Sequence, residues 1–448
     1  MTILTPLSPA ESSAQRRPWL ELLILAGVAL VPLSATRTIR GIHFTTTEMF
    51  FSLALGLWAV SVLRHRRWAD WTPAPGLGWL EWSMLAFLLA CGASGAVAAG
   101  KSLWAKKLVQ VGYTLAIYLF VRSAAGRNVR LKTYVAMLLS VAALAGAVGV
   151  AQYFSGRAWT DDPNFMIVLG RVRSHLTLGS PNNFAAYLAG AVPLAVAAAE
   201  RSRRRRLYLA GTGMVTAGLI CTCSRSGWIG ALVGLAVVLL LRRRRLLVPA
   251  AILLAILFAE VAAFSYDVSR CGTDRGLSAG TDALIANPTL LRTTDSFRSD
   301  LVRLGAAMIQ AHPWLGVGLG NTGLAMPEYF QTAHVSSEFL KDYARKNVEM
   351  TFHCAPLQIV AELGLLSVTG LALAIGFVVT LARAYRRSDD EDRPLVTGLI
   401  GACVAILAAT AFGWLFTRFV AETFFLLLGL VGAQVLRRPA LGRGSGKP

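Results

Sequence analysis

The chain has 448 residues, of which 55% are hydrophobic and only 15% charged, with a mean hydropathy of +0.55; this balance excludes an ordinary soluble domain. The net charge of +20 sits largely in short basic clusters between apolar runs. That pattern suits loops facing anionic headgroups and argues against nucleic-acid binding.

Apolar runs long enough to cross a hydrocarbon core fall near 18–36, 46–63, 79–99, 108–121, 133–154, 182–200, 207–224, 226–241, 246–265, 356–384, 394–416 and 420–436. The expected fold is therefore an all-α polytopic membrane protein of about twelve transmembrane helices. It divides into a helical part at 1–265, a long loop at 266–355, and a second helical part with its tail at 356–448. Arg16 and Arg17 before the first run read as the start of an uncleaved signal anchor. The clusters "RHRR" (64–67), "RSAAGRNVRLK" (122–132), "RSRRRR" (201–206), "RRRR" (242–245), "RAYRR" (383–387) and the final "LRR" fall on one side when the N-terminus is cytoplasmic. Both termini are then inside. Lys106 and Lys107 are the exception.

The opposite, outer side receives the loop 155–181, the tight turn "CTCSRSGW" (221–228), and the long loop. Within the last, Leu301, Leu304 and Met308 recur at helical spacing, with Arg298, Asp300 and Arg303 off the stripe. That spacing predicts an amphipathic helix on or near the outer surface. A second helix is expected over 327–346. "HPWLGVGLGNTG" (312–323) contains a formal GxGxxG, but no strand precedes it, so the glycines read as a tight connecting loop. Asp161 and Asp162 form the one adjacent acid pair in an outer loop, too little to hold a metal.

His353 stands where the long loop re-enters the membrane. An imidazole there is suited to take a proton from a hydroxyl near neutral pH, or to hydrogen-bond a helix end. Glu362 is not its orienting partner: nine residues of helix give about 13 Å of rise and leave the two on opposite faces. Gln358 and Glu362, four apart, share a face and read as packing groups between helices. Arg225 lies beside Ser226, a possible cap for the span that follows, and an arginine at a helix N-terminus suits a phosphate or diphosphate. Arg298 and Arg173 add two further outer-side cations with few acids beside them. Of the six cysteines, most read as buried small hydrophobes, and Cys271 and Cys354 as a pair able to bridge in an oxidising compartment.

Four stretches, "RSHLTLGSPNNFAAYL" (173–188), "CSRSGWIG" (223–230), "FRSDLVRLGAAMIQAHPWLGVGLGN" (297–321) and "HCAPLQIVAELG" (353–364), resemble in order and spacing the O-antigen ligase and polymerase family of bacterial inner-membrane glycosyltransferases. The "SHL" after Arg173 and the cysteine after His353 depart from the family pattern. The resemblance implies a GT-C-like enzyme of the Gram-negative inner membrane with a periplasmic active site. It would move a glycan from undecaprenyl diphosphate to a hydroxyl of lipid A-core, with inversion and with neither metal nor cofactor. Arg225, Arg298 and Arg173 would bind the donor diphosphate, and His353 would activate the acceptor. An O-antigen polymerase is the nearest alternative; a protein O-oligosaccharyltransferase and a transporter rank lower. Anionic membrane lipids are the remaining expected partner, through the basic clusters.

Overall fold

The computed structural model describes residues 18–33, 36–39, 42–64, 78–125, 131–156, 167–168, 171–200, 202–242, 288–346, 349–352, 354–411 and 415–436. In chain order the helices are α1 (Pro18–Leu30), α2 (Thr46–Arg64), α3 (Trp79–Ala93), α4 (Lys101–Ala125), α5 (Leu131–Ser155), α6 (Pro181–Ala199), α7 (Arg205–Cys221) and α8 (Arg225–Arg242). They continue as α9 (Pro288–Ala311), the single turn α10 (Thr322–Ala325), α11 (Glu338–Lys346), α12 (Ala355–Leu363), α13 (Val368–Arg387), α14 (Arg393–Thr410) and α15 (Arg418–Val435). The all-α expectation needs one small amendment. Two short antiparallel pairs are present, Thr36–Ile39 with Ile42–Thr45 and Ile167–Val168 with Arg171–Val172.

Nine helical stretches among the described residues are long and apolar enough to cross a membrane, and the chain is an integral membrane protein. They are Thr46–Leu63, Trp79–Ala96, Lys101–Ala125, Leu131–Ser155, Pro181–Ala199, Arg225–Arg242, Ala355–Arg387, Arg393–Thr410 and Arg418–Val435. The apolar helix Trp19–Leu33 is shorter. The expected span 207–224 corresponds to the 17-residue α7, and that at 246–265 lies outside the described residues.

The bundle is built around α6 and α15. Every residue from Phe184 to Ala199 and from Phe419 to Gln434 is buried, so neither helix faces lipid over that length. Helix α14 packs on α6 on one side and α8 on the other. The α8–α14 crossing is made by small residues: a Cβ at Gly230 would lie 2.5 Å from the Ala405 carbonyl oxygen, and one at Gly234 2.5 Å from that of Gly401. Close backbone approach of this kind is how helices associate where hydrophobicity alone gives no preference. It fixes the axis of α8 and hence the position of its first residue, Arg225.

The long loop forms its own small core. Leu301, Leu304 and Met308 of α9 are buried against Met326, Phe330, Leu340, Met350 and Phe352. The amphipathic stripe thus faces a protein core rather than a lipid surface. Asp300, expected off that stripe, is itself buried. Its Oδ2 accepts from the Ser336 N–H at 3.0 Å, the Ser336 hydroxyl at 3.1 Å and the Ser337 N–H at 2.9 Å, immediately ahead of α11. This anchor accounts for the break in the helix expected over 327–346, of which only α11 and a 3-10 turn at Met326–Tyr329 form. Replacing Gly234 with valine should force α8 away from α14 and cost about 1–3 kcal/mol. Thermal unfolding in detergent would show it as a lowered melting temperature, and an unchanged value would refute the close contact.

Candidate active site

The loop after residue 172 and the α7–α8 turn interlock. Arg173 donates from Nε to the Thr222 carbonyl at 2.8 Å and from Nη2 to Asn182 Oδ1 at 3.2 Å. The same Asn182 oxygen accepts from the Ser224 hydroxyl at 2.9 Å, and the Ser174 N–H donates to the Cys221 carbonyl at 2.9 Å. Gln152, at the end of α5, supports the loop from beneath: its Oε1 accepts from the N–H groups of His175 at 2.9 Å and Leu176 at 3.0 Å. Leu176 and Cys223 both adopt left-handed backbone, with φ of 52° and 49°. For residues with a side chain this costs on the order of 1–2 kcal/mol each, strain of the kind that surrounding structure holds at functional sites.

The interlock places Arg173, half-buried, near Arg225, which is exposed as the first residue of α8. Neither arginine forms an ion pair with a carboxylate among the described residues. Burial draws the Arg173 guanidinium below its ordinary range; the Cys223 thiol acts in the opposite sense, and the Arg225 charge adds to the lowering. Two helices of 19 and 18 residues, α6 and α8, begin here. The open N–H groups of a first turn favour an anion. Ser180 caps α6, accepting from the Asn182 N–H at 3.2 Å. Ser224, not Ser226, occupies the position before α8; Ser226 lies inside its first turn with its hydroxyl 3.2 Å from that of Ser224. The reason is that Asn182 pulls Ser224 into the interlock.

Arg298 lies in the middle of α9 rather than at its start, and its side chain is outside the described residues. His353 also lies outside them, as do Cys271 and the pair Asp161 and Asp162. Cys354, which is unbridged, stands before α12. Cys91 and Cys403 are fully buried, as small hydrophobes would be.

A second polar cluster surrounds the glycine loop. Gly316, Gly318 and Gly320 have φ of 64°, 91° and 73°, a conformation that side chains resist. It lets the backbone lie on α12, where the Val317 N–H donates to the Ala361 carbonyl at 2.9 Å and the Gly318 N–H to that of Glu362 at 3.1 Å. Gln358 and Glu362 do share a face, but it is turned to this loop rather than to another long helix: Thr322 Oγ1 lies 3.2 Å from Glu362 Oε1. The loop also reaches the α3–α4 connection, through Leu319 N–H to Ser94 Oγ at 3.1 Å and Gly100 N–H to Asn321 Oδ1 at 2.6 Å. Lys106 pairs with Glu349 at 2.5 Å and Lys107 approaches it at 3.9 Å. Burial pushes Glu349 up, but these lysines and Arg418 outweigh it and hold the carboxyl below its usual value. The two lysines that broke the charge rule are matched by an acid of the long loop.

Residues 210–372 match the protein-family model described as O-antigen ligase. This stretch, less than half of the chain, is similar to the domain of that family. No curated protein matches it. The domain takes in Arg225, the glycine loop and α12, and leaves Arg173 and Asn182 outside its limits. Asn182 and Gln152 were not singled out in the sequence. The available signals were an amide pair directly after "SP" and a lone amide closing an apolar run.

His175 offers a pH test of this loop. It is buried, its Nδ1 lies 3.2 Å from the Arg173 carbonyl, and its Nε2 has no partner. A carbonyl only accepts, so Nδ1 carries the hydrogen, and burial holds the imidazole below its ordinary value and neutral. With the folded value below the unfolded one, stability is fully present above about pH 6.5 and is lost as pH falls from there. The melting temperature of the protein in detergent should drop over that range, and that of His175→Gln should drop less. Parallel curves would refute the assignment.

Proposed function

We propose that the protein is an inverting, metal-independent glycosyltransferase that transfers O-antigen glycan from undecaprenyl diphosphate to a hydroxyl of lipid A-core. The observation that carries this reading is the pair Arg173 and Arg225, held at two helix starts with no carboxylate beside them among the described residues, within or next to the stretch that matches the O-antigen ligase model. A diphosphate is a leaving group whose charge grows as its bond to the anomeric carbon breaks, and guanidinium groups aimed at that charge lower the barrier. Arg298, carried by α9, would bind the same diphosphate. His353 takes the proton of the acceptor hydroxyl as its oxygen bonds to the anomeric carbon from the face opposite the departing diphosphate.

The arrangement in the membrane follows the charge pattern. The ends of α7, α8 and α13 that carry Arg205 and Arg206, Arg242, and Arg386 and Arg387 lie opposite the interlock. Those ends face the cytoplasm and the arginine pair faces the periplasm of the inner membrane. Twelve spans and a GT-C-like arrangement result if α1, α7 and the apolar run 246–265 also cross.

Each charge-assisted hydrogen bond is worth about 1.5–3 kcal/mol, so Arg225→Ala and Arg298→Ala should each lower turnover at least tenfold. His353→Ala should nearly abolish it. The assay uses purified protein in nanodiscs with undecaprenyl-diphosphate-linked glycan and a chelator, with and without lipid A-core. Glycan on lipid A-core, only when it is supplied, supports the ligase. Growth of the lipid-linked glycan without it would replace the ligase by a polymerase, and a fully active His353→Ala protein would sink the mechanism.

A further inference from the structure

One buried side chain ties down the backbone immediately before position 353, from the helix that begins just after it. Gln358, 2% exposed, sits in the first turns of α12. Its Oε1 accepts from the Phe352 N–H at 2.9 Å, and its own backbone N–H donates to the Cys354 carbonyl at 2.9 Å. Its Nε2 donates to Thr322 Oγ1 at 2.6 Å and to Glu362 Oε1 at 2.5 Å. Because the Phe352 N–H can only donate, the amide orientation is fixed: oxygen toward the chain before the histidine, nitrogen toward Glu362. Thr322 has a single hydroxyl proton, which it can give to Glu362 Oε1 at 3.2 Å or to the Met350 carbonyl at 3.4 Å. Phe352 is thus bonded directly to one polar knot of side chains, and Met350 is within reach of it through the Thr322 hydroxyl.

A helix could be capped far more simply than this. Burying an amide, a hydroxyl and a carboxylate costs free energy unless they are hydrogen-bonded, and here the bond they make outside their own cluster goes to the backbone just ahead of one residue. We infer that Gln358 is the positioning residue for the segment carrying His353, with Thr322 and Glu362 orienting its amide; the inference rests on the reading of His353 as the base. Misplacing a reacting group by even 1 Å is enough to slow a transfer of this kind by about a hundredfold. Gln358 itself touches no substrate in this scheme, and its loss should therefore act on turnover rather than on donor binding.

Two variants of the full-length protein in nanodiscs test this. Gln358→Met keeps the length of the side chain and removes its hydrogen bonds. Amide exchange in a peptide covering 349–354 should quicken at least tenfold while exchange in α9 is unchanged. The kcat should fall at least tenfold with the donor KM altered less than threefold. The double swap Gln358→Glu with Glu362→Gln reverses donor and acceptor within the knot and leaves an oxygen for the Phe352 N–H. It should restore both exchange and kcat to within about threefold of the wild type, and it carries the test should Gln358→Met fail to fold. Unchanged exchange at 349–354 in Gln358→Met, a loss confined to KM, or a swap no better than Gln358→Met would each overturn the inference and leave the reading of His353 intact. If Gln358→Met lowers kcat while His353→Ala does not, the reading of the base fails and the inference falls with it.

Discussion

The site depends on one shared oxygen. Asn182 Oδ1 receives both the Arg173 guanidinium and the Ser224 hydroxyl, and so joins the start of α6 to the start of α8. Neither helix can shift without straining that junction. Helix α6 is locked because it is buried from Phe184 to its end, and α8 because small residues bring its backbone onto α14. The polar junction is therefore set by apolar packing far below it. Packing of this kind stores two left-handed residues and two neighbouring arginines in a fixed place, which a flexible surface loop does not do.

Charge at this end of the bundle is handled in two ways. The lysines of α4 are matched by Glu349, and Arg418 lies 3.2 Å from Glu48. These cations stitch the long loop and the helix ends together. Among the described residues, Arg173 meets neutral acceptors, a carbonyl and an amide oxygen. A guanidinium oriented by neutral groups keeps its full charge for whatever anion arrives. The contrast separates cations that build the structure from those left available, a distinction that counting basic residues does not make.

Nine of the expected spans and the α9 stripe were legible because apolar length and helical period are local properties of the chain. The same holds for the glycine loop, where the composition itself demands unusual backbone. What was not legible depends on partners distant in sequence. The helix expected over 327–346 breaks because Asp300 takes the N–H groups of Ser336 and Ser337. Lys106 breaks the charge rule because Glu349, 243 residues later, answers it. Ser224 rather than Ser226 stands ahead of α8, and its hydroxyl is given to Asn182. In each case a single hydrogen-bonding partner from another part of the chain overrode the local preference.

The stretch from His312 to Thr322 is anchored to α12 through the Ala361 and Glu362 carbonyls, and to the α3–α4 connection through Ser94 and Gly100. A span fastened at two places to the same scaffold behaves as a brace, not as a door on a hinge. Any movement of this stretch would have to break contacts with α12 and with the α3–α4 connection together, so the two helix ends keep a fixed spacing wherever the rest of the long loop goes.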